Sequence, residues 1–277
     1  MGFRQKNTAG LPITGSLTTV CTCTVVISTL MTVVSVGGIL FRQAVYPSTD
    51  LRRMFVPNDV ASLCTGLPLL PVSLFLIRRR KSIGLFSLSG ALLFVLYNYL
   101  IYLFAMPTGI MFPLHLALII LSACAQGSLI AQIDAPSVRQ RLAGAVPARA
   151  TGGILAAFGV LFLMRAVGVL APAMAYHTPI ARTESAVDIA DLLITPLWIF
   201  VGFLLILRKA YGYVVAPGLL FQAGMLFIAL IVFLVLQPFL TGVPFRWIDI
   251  VVIVAMGSVC FVPLFVFIRE AAQRETP

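Results

Sequence analysis

Charge is the scarcest commodity in this chain. Of 277 residues, 10% are charged and 60% are hydrophobic, whereas a soluble domain carries about 25% charged residues. Too few are present to clothe a water-facing surface, which excludes a soluble enzyme and a nucleic-acid reader. Histidine is nearly missing: His115 and His177 are the whole complement, too few for bis-histidine ligation of several haems. The motifs G-x-x-x-x-G-K-[ST], H-E-x-x-H, G-x-S-x-G and G-x-G-x-x-G are all absent, so an ATP-driven motor would need another subunit. The five cysteines are dispersed and demand no disulfide framework. Cys21 and Cys23 stand two apart, about 200° around a regular helix, and cannot face one metal ion; Cys64, Cys124 and Cys260 read as small apolar residues. No cofactor and no metal is implied. Met1-Gly2 is followed by Lys6 where an N-myristoylation signal needs Ser or Thr.

What the chain does have is long apolar runs. A hydrocarbon core of roughly 30 Å takes about 20 apolar residues per helix, and eight stretches qualify: 16–41, 58–77, 83–105, 111–132, 150–172, 188–207, 211–236 and 247–268. Backbone groups must be satisfied internally in lipid, so these are helices or a closed barrel, and continuous rather than alternating hydrophobicity excludes the barrel. The first run is too long for a signal-peptide core and lacks a clear small-residue cleavage site, so it reads as a retained helix. The fold class is therefore all-α, a polytopic integral membrane protein forming one transmembrane domain.

Loop charge sets the expected orientation. On the side of the N-terminus lie Arg4, Lys6, Arg78, Arg79, Arg80, Lys81, Arg139, Arg141, Arg149, Arg208, Lys209, Arg269 and Arg274, thirteen basic residues against the acidic Asp134, Glu270 and Glu275. The other side holds Arg42, Arg52, Arg53, Arg182 and Arg246 against Asp50, Asp59, Glu184, Asp188, Asp191 and Asp249. Basic residues concentrate in cytoplasmic loops, so both termini are expected in the cytosol, in a plasma or inner membrane. The basic excess suits anionic lipid at the cytoplasmic face and is no argument for nucleic acid.

A shift of 128 residues lays the second hairpin on the sixth-to-seventh one: Pro68, Leu69, Phe75, Leu76, Arg80, Lys81, Gly84, Gly90 and Leu92 meet Pro196, Leu197, Phe203, Leu204, Arg208, Lys209, Gly212, Gly218 and Leu220. Leu and Phe matches are cheap in apolar sequence; the proline, the Arg-Lys turn and the glycines are less so. The match suggests a 4+4 parallel repeat with halves 1–143 and 144–277, a plan that places a binding site between halves near mid-membrane. The competing explanation is that any two hairpins with a basic turn look alike.

Ionisable and polar groups within spans are costly and mark candidate sites. Arg165 falls beyond the midplane of the fifth span, and its guanidinium should seek a carboxylate at similar depth, namely Asp59, Asp188 or Asp191. Asn58, just after Pro57, has the position of an N-cap, with Asp59 favoured by the helix dipole. Ser185 and Asp188 have capping-box spacing. Asp191 lies one turn deeper, where capping no longer explains it, and is the foremost candidate for a buried titrating or cation-contacting carboxylate. Asn98 and Tyr102 share a face of the third span beside Tyr97 and Tyr99, and His115 reaches a similar depth. Arg165, Asp191, Asn98, Tyr102, His115, Asp188 and Asp59 could thus line one pocket opening outward, with Gln126, Gln132 and Gln222 either extending it inward or bonding between helices. Pro68, Pro71, Pro196, Pro217 and Pro263 should kink their helices.

Three functional classes fit these residues: a protein binding or translocating a small solute or ion, a non-catalytic subunit of a membrane complex or homo-oligomer, and a membrane-embedded enzyme acting on lipid or quinone. The topology is directly testable. Reporter domains fused to either end should both report a cytosolic location; ends on opposite sides of the membrane would refute an even number of crossings.

Overall fold

The computed structural model describes residues 11–242 and 244–273. Arg4, Lys6, Arg274, Glu275 and the Met1-Gly2 pair lie outside these. The chain is built from α1 (Thr18–Leu40), α2 (Arg42–Val45), α3 (Thr49–Cys64), α4 (Gly66–Arg78), α5 (Ser82–Ala105), α6 (Phe112–Ala131), α7 (Ala135–Leu142), α8 (Ala148–Tyr176), α9 (Arg182–Ile206), α10 (Ala210–Thr241) and α11 (Trp247–Gln273). With α3 and α4 taken as one broken rod, eight segments among the described residues are long and apolar enough to cross a membrane. It is an all-α, multi-pass integral membrane protein. Pro12, the start of α5 at Ser82, Arg141 of α7 and Ala271 of α11 border one small cavity, so both described ends of the chain emerge at the same face of the bundle, called here the terminal face.

α5 is the axle. Its residues are buried on nearly every side, and it crosses α10 where two glycines meet. A Cβ on Gly90 would stand 2.9 Å from the carbonyl oxygen of Gly218, and one on Gly218 2.9 Å from Ser89 Cβ. α8 and α9 approach still more intimately. Gly152, Ala156 and Gly159 recur along one face of α8, and a Cβ on Gly202 of α9 would lie 2.7 Å from Gly152 O and 2.8 Å from Ala156 N. Lipid supplies no hydrophobic drive between helices, so such small-residue seams hold the bundle through van der Waals contact of backbones.

Helix ends differ from the sequence expectation in instructive ways. α3 begins nine residues before the expected start at 58, because Ser48 accepts the Leu51 N–H at 3.2 Å and caps it. Pro57 is tolerated within the helix, so Asn58 is no N-cap: both Asn58 and Asp59 are interior residues. Ser185 likewise lies inside α9, whose first residue is Arg182; its hydroxyl donates to Arg182 O and forms no capping box. The break between α3 and α4 falls at Thr65, where Pro68 has no N–H to return to the carbonyl of Cys64.

The two basic turns are alike. Lys81 N donates to Leu76 O at 3.0 Å and Lys209 N to Leu204 O at 2.9 Å, with Arg80 and Arg208 in the left-handed region at φ 58° and 54°. These are Schellman closures with arginine where glycine is usual. The likeness is local: α1 packs along α6, while the counterparts α8 and α11 meet only briefly.

Replacing Gly202 by leucine should destabilise the detergent-solubilised protein by about 1–3 kcal/mol or more, since backbone atoms stand where the side chain must go. Gly153→Ala, with open space at its Cβ position, should leave the thermal midpoint unchanged or raise it slightly. Equal loss in both would refute the seam.

Candidate functional site

The seven residues singled out by sequence form two clusters rather than one pocket. The first joins α8 to α9. Nη2 of Arg165 lies 2.8 Å from Asp188 Oδ1 and 2.9 Å from Asp191 Oδ2. Its contact with Asp191 is an aligned hydrogen bond, whereas neither oxygen of Asp188 has a hydrogen-bond partner among the described residues, so that pairing is charge proximity alone. The Asp188 side chain is 0% exposed and that of Asp191 7%, but Arg165 remains 43% exposed on the flank of the bundle. Tyr97 of α5 closes the cluster, donating its O–H to Asp191 Oδ1 at 2.7 Å. The spacing of Asp188 and Asp191 places both carboxylates on one helical face, which is why a single guanidinium reaches both.

The second cluster surrounds Asp59 of α3, which is wholly buried. Tyr102 donates to its Oδ1 at 2.8 Å and Tyr46 to its Oδ2 at 2.6 Å. Gly38 of α1 lies so close that a Cβ there would collide with Asp59 Oδ2 and the Tyr46 hydroxyl. Burial and the adjacent Asp59 carboxyl push the Tyr46 phenol upward in pKa, so it stays a proton donor. Asn58 Nδ2 donates to Asn98 Oδ1 at 3.0 Å and to Tyr102 Oη at 3.1 Å, and Asn98 Nδ2 donates to Ser62 Oγ at 3.1 Å. His115 stacks on Tyr99 and packs at a tilt against Tyr102, centroids 5.7 and 5.0 Å apart, and both its ring nitrogens are buried without a partner among the described residues.

Between the clusters lies a cavity of about 240 Å³, bordered by α3, α5, α8, α9 and α10. Its walls are mainly apolar, with Phe94, Phe162, Leu226 and Phe227 prominent; Asn58, Tyr97, Asn98, Asp191 and Thr195 supply its polar edge. Of the seven candidates, Asn98 and Asp191 reach it. Arg165, Asp188, Asp59, Tyr102 and His115 stand outside its walls. Gln126 and Gln222 bridge helices, Gln126 Nε2 to Ser89 Oγ at 2.8 Å and Gln222 Nε2 to Leu93 O at 3.2 Å.

Sequence reasoning missed Tyr46, Ser62, Thr195 and Trp198. Helical spacing held a signal for three of them: Ser62 follows Asn58 by four, and Thr195 and Trp198 follow Asp191 by four and seven. Tyr46 sits beyond the end of α2, and nothing local points it at Asp59.

Comparison with protein-family models, curated proteins and solved structures gave no match, so the residues themselves carry the functional argument.

Replacing Arg165 with leucine strands a buried aspartate pair and should cost about 3 kcal/mol of stability. Adding Asp188→Asn to that variant should restore part of the loss in the same unfolding measurement. A double variant no more stable than Arg165→Leu would refute the ion-pair account.

Proposed function

We propose that this membrane protein binds a small, largely apolar solute carrying one dipolar group, in the cavity beside Asp191. The observation that carries this reading is the cavity itself, apolar-walled with a preformed hydrogen-bonding edge, which is the general character of small-molecule sites. At about 240 Å³ it has more room than the ~150 Å³ that admits benzene in an engineered apolar cavity. Both oxygens of Asp191 are already engaged, by Tyr97 and Arg165. A ligand therefore meets a carboxylate with a hydrogen bond already made to each oxygen, and a dipolar group can add to that edge without displacing either partner. The cavity is walled by α3 and α5 from one half of the sequence and by α8, α9 and α10 from the other, so a relative shift of these helices would reshape it. Translocation would then be an extension of binding.

A second reading, a subunit of a larger membrane assembly, draws on a different observation. The flank of α8 that carries half-exposed Arg165 also exposes Leu161 and Met164. Solubilisation in mild detergent would recover a stoichiometric partner under that reading.

For the binding reading, a panel of small amphipathic solutes should raise the thermal midpoint of purified protein, by about 2.7 kcal/mol of stability at a ligand concentration one hundred times Kd. Ala223→Phe, which fills the cavity, and Asp191→Asn, which alters its edge, should each abolish the shift. Solutes that stabilise wild type and both variants equally would refute the site.

A further inference from the structure

The face opposite the termini carries five arginines, at positions 42, 52, 53, 182 and 246, against the general tendency for basic residues to collect on one side of a membrane protein. Three of them share one groove. Arg42, Arg52 and Arg53, with Gln43, Val56 and Leu240, border a cleft of about 530 Å³ between the α2–α3 turn and the far end of α10. It is separate from the cavity beside Asp191, with none of its lining residues in common.

The three guanidiniums are not equivalent. Arg52 is fixed by the fold: its Nη1 donates to the carbonyls of Tyr46 and Pro47 at 3.0 and 2.9 Å, and its Nη2 to Thr49 Oγ1 at 3.3 Å. It locks the turn that presents the other two. Arg42 and Arg53 are exposed, and the guanidinium of neither has a hydrogen-bond or ion-pair partner among the described residues. No carboxylate borders the cleft. Asp50, in the first turn of α3, is exposed but outside its walls, and Asp59 is buried with both oxygens taken by tyrosines. Three positive charges thus converge on one cleft with no acidic residue in its walls to offset them.

The surroundings of the cleft specify the kind of anion. Leu40 and Phe41, at the end of α1, and Phe239 and Leu240, near the end of α10, are 69%, 64%, 82% and 41% exposed. A site for a soluble anion has no use for an apolar margin, whereas an amphiphile with a phosphate above and hydrocarbon below matches both parts. We propose that this cleft binds the phosphate of a phospholipid in the leaflet away from the chain termini. Arg42 and Arg53 would grip the phosphate oxygens through their planar forks, Arg52 would add a fixed third charge, and the acyl chains would lie against Phe41, Phe239 and Leu240. This is distinct from the general attraction of anionic lipid to the basic terminal face, which needs no shaped cleft.

The test uses full-length protein and dimyristoyl phosphatidylglycerol, with lipid adducts resolved by native mass spectrometry. The double variant Arg42→Gln/Arg53→Gln should lose the tightest-bound lipid, its Kd rising by about tenfold or more, the scale of a lost charge-assisted contact. The charge-matched control Arg182→Gln/Arg246→Gln, on the same face but away from the cleft, should retain it. Retention by both variants, or equal loss from both, would overturn the site. Displacement of the lipid by millimolar inorganic phosphate would overturn the lipid assignment and reassign the cleft to a soluble anion; persistence in phosphate supports it. Thermal midpoints of the two variants within a degree or two of wild type would show that the loss is of binding and not of folding.

Discussion

Within hydrocarbon an ionised side chain has no solvent to fall back on, and the arrangement around Arg165 and the aspartates follows from that constraint. One guanidinium nitrogen spans Asp188 and Asp191, two carboxylates that α9 presents on one face. The contact requires α8 and α9 to lie at short range, and the glycines and alanine along α8 allow it. The electrostatic and steric solutions are therefore one solution, because enlarging the seam would separate the charges it brings together. Asp59 is accommodated by the opposite strategy. Among the described residues no cation approaches it, and two tyrosine hydroxyls supply its hydrogen bonds in a pocket lined by aromatic rings.

These two ways of housing an acid leave different edges toward the space between them. On the α9 side the rim is the Asp191 carboxylate, held from behind by Arg165, with the phenol of Tyr97 beside it; on the α3 side it is a pair of carboxamides, Asn58 and Asn98, held in orientation by Tyr102 and Ser62. Both rims are held in place by the protein before any ligand arrives. Preorganisation of this sort lowers the entropic cost of binding.

Some of this is legible in the sequence. Continuous apolar runs announced eight crossings, because lipid admits few other structures. Depth narrows the partners of Arg165 to Asp59, Asp188 and Asp191, since charges in a bilayer must pair at their own level, but it does not separate Asp59 from the two that hold it. The start of α3 was misjudged because Pro57 resembled a boundary, while the capping signal at Ser48 sat in a polar stretch that did not look membrane-bound. Tyr46 and the cavity were illegible for another reason: both arise where helices distant in sequence converge, and no spacing along one helix encodes that. The division of the seven candidates into two groups has the same origin, since depth places residues in a layer without specifying their bearing around the bundle axis.

The partial exposure of Arg165 reaches beyond the protein. A guanidinium at that level with nearly half its surface on the bundle's flank attracts water and lipid headgroups toward it. The bilayer beside α8 should accordingly be dimpled, its leaflet thinner there than around the rest of the perimeter. Such a dent is a directional feature of an otherwise featureless solvent. It would favour neighbours with short hydrophobic spans along that flank and give the molecule a preferred azimuth in the membrane plane.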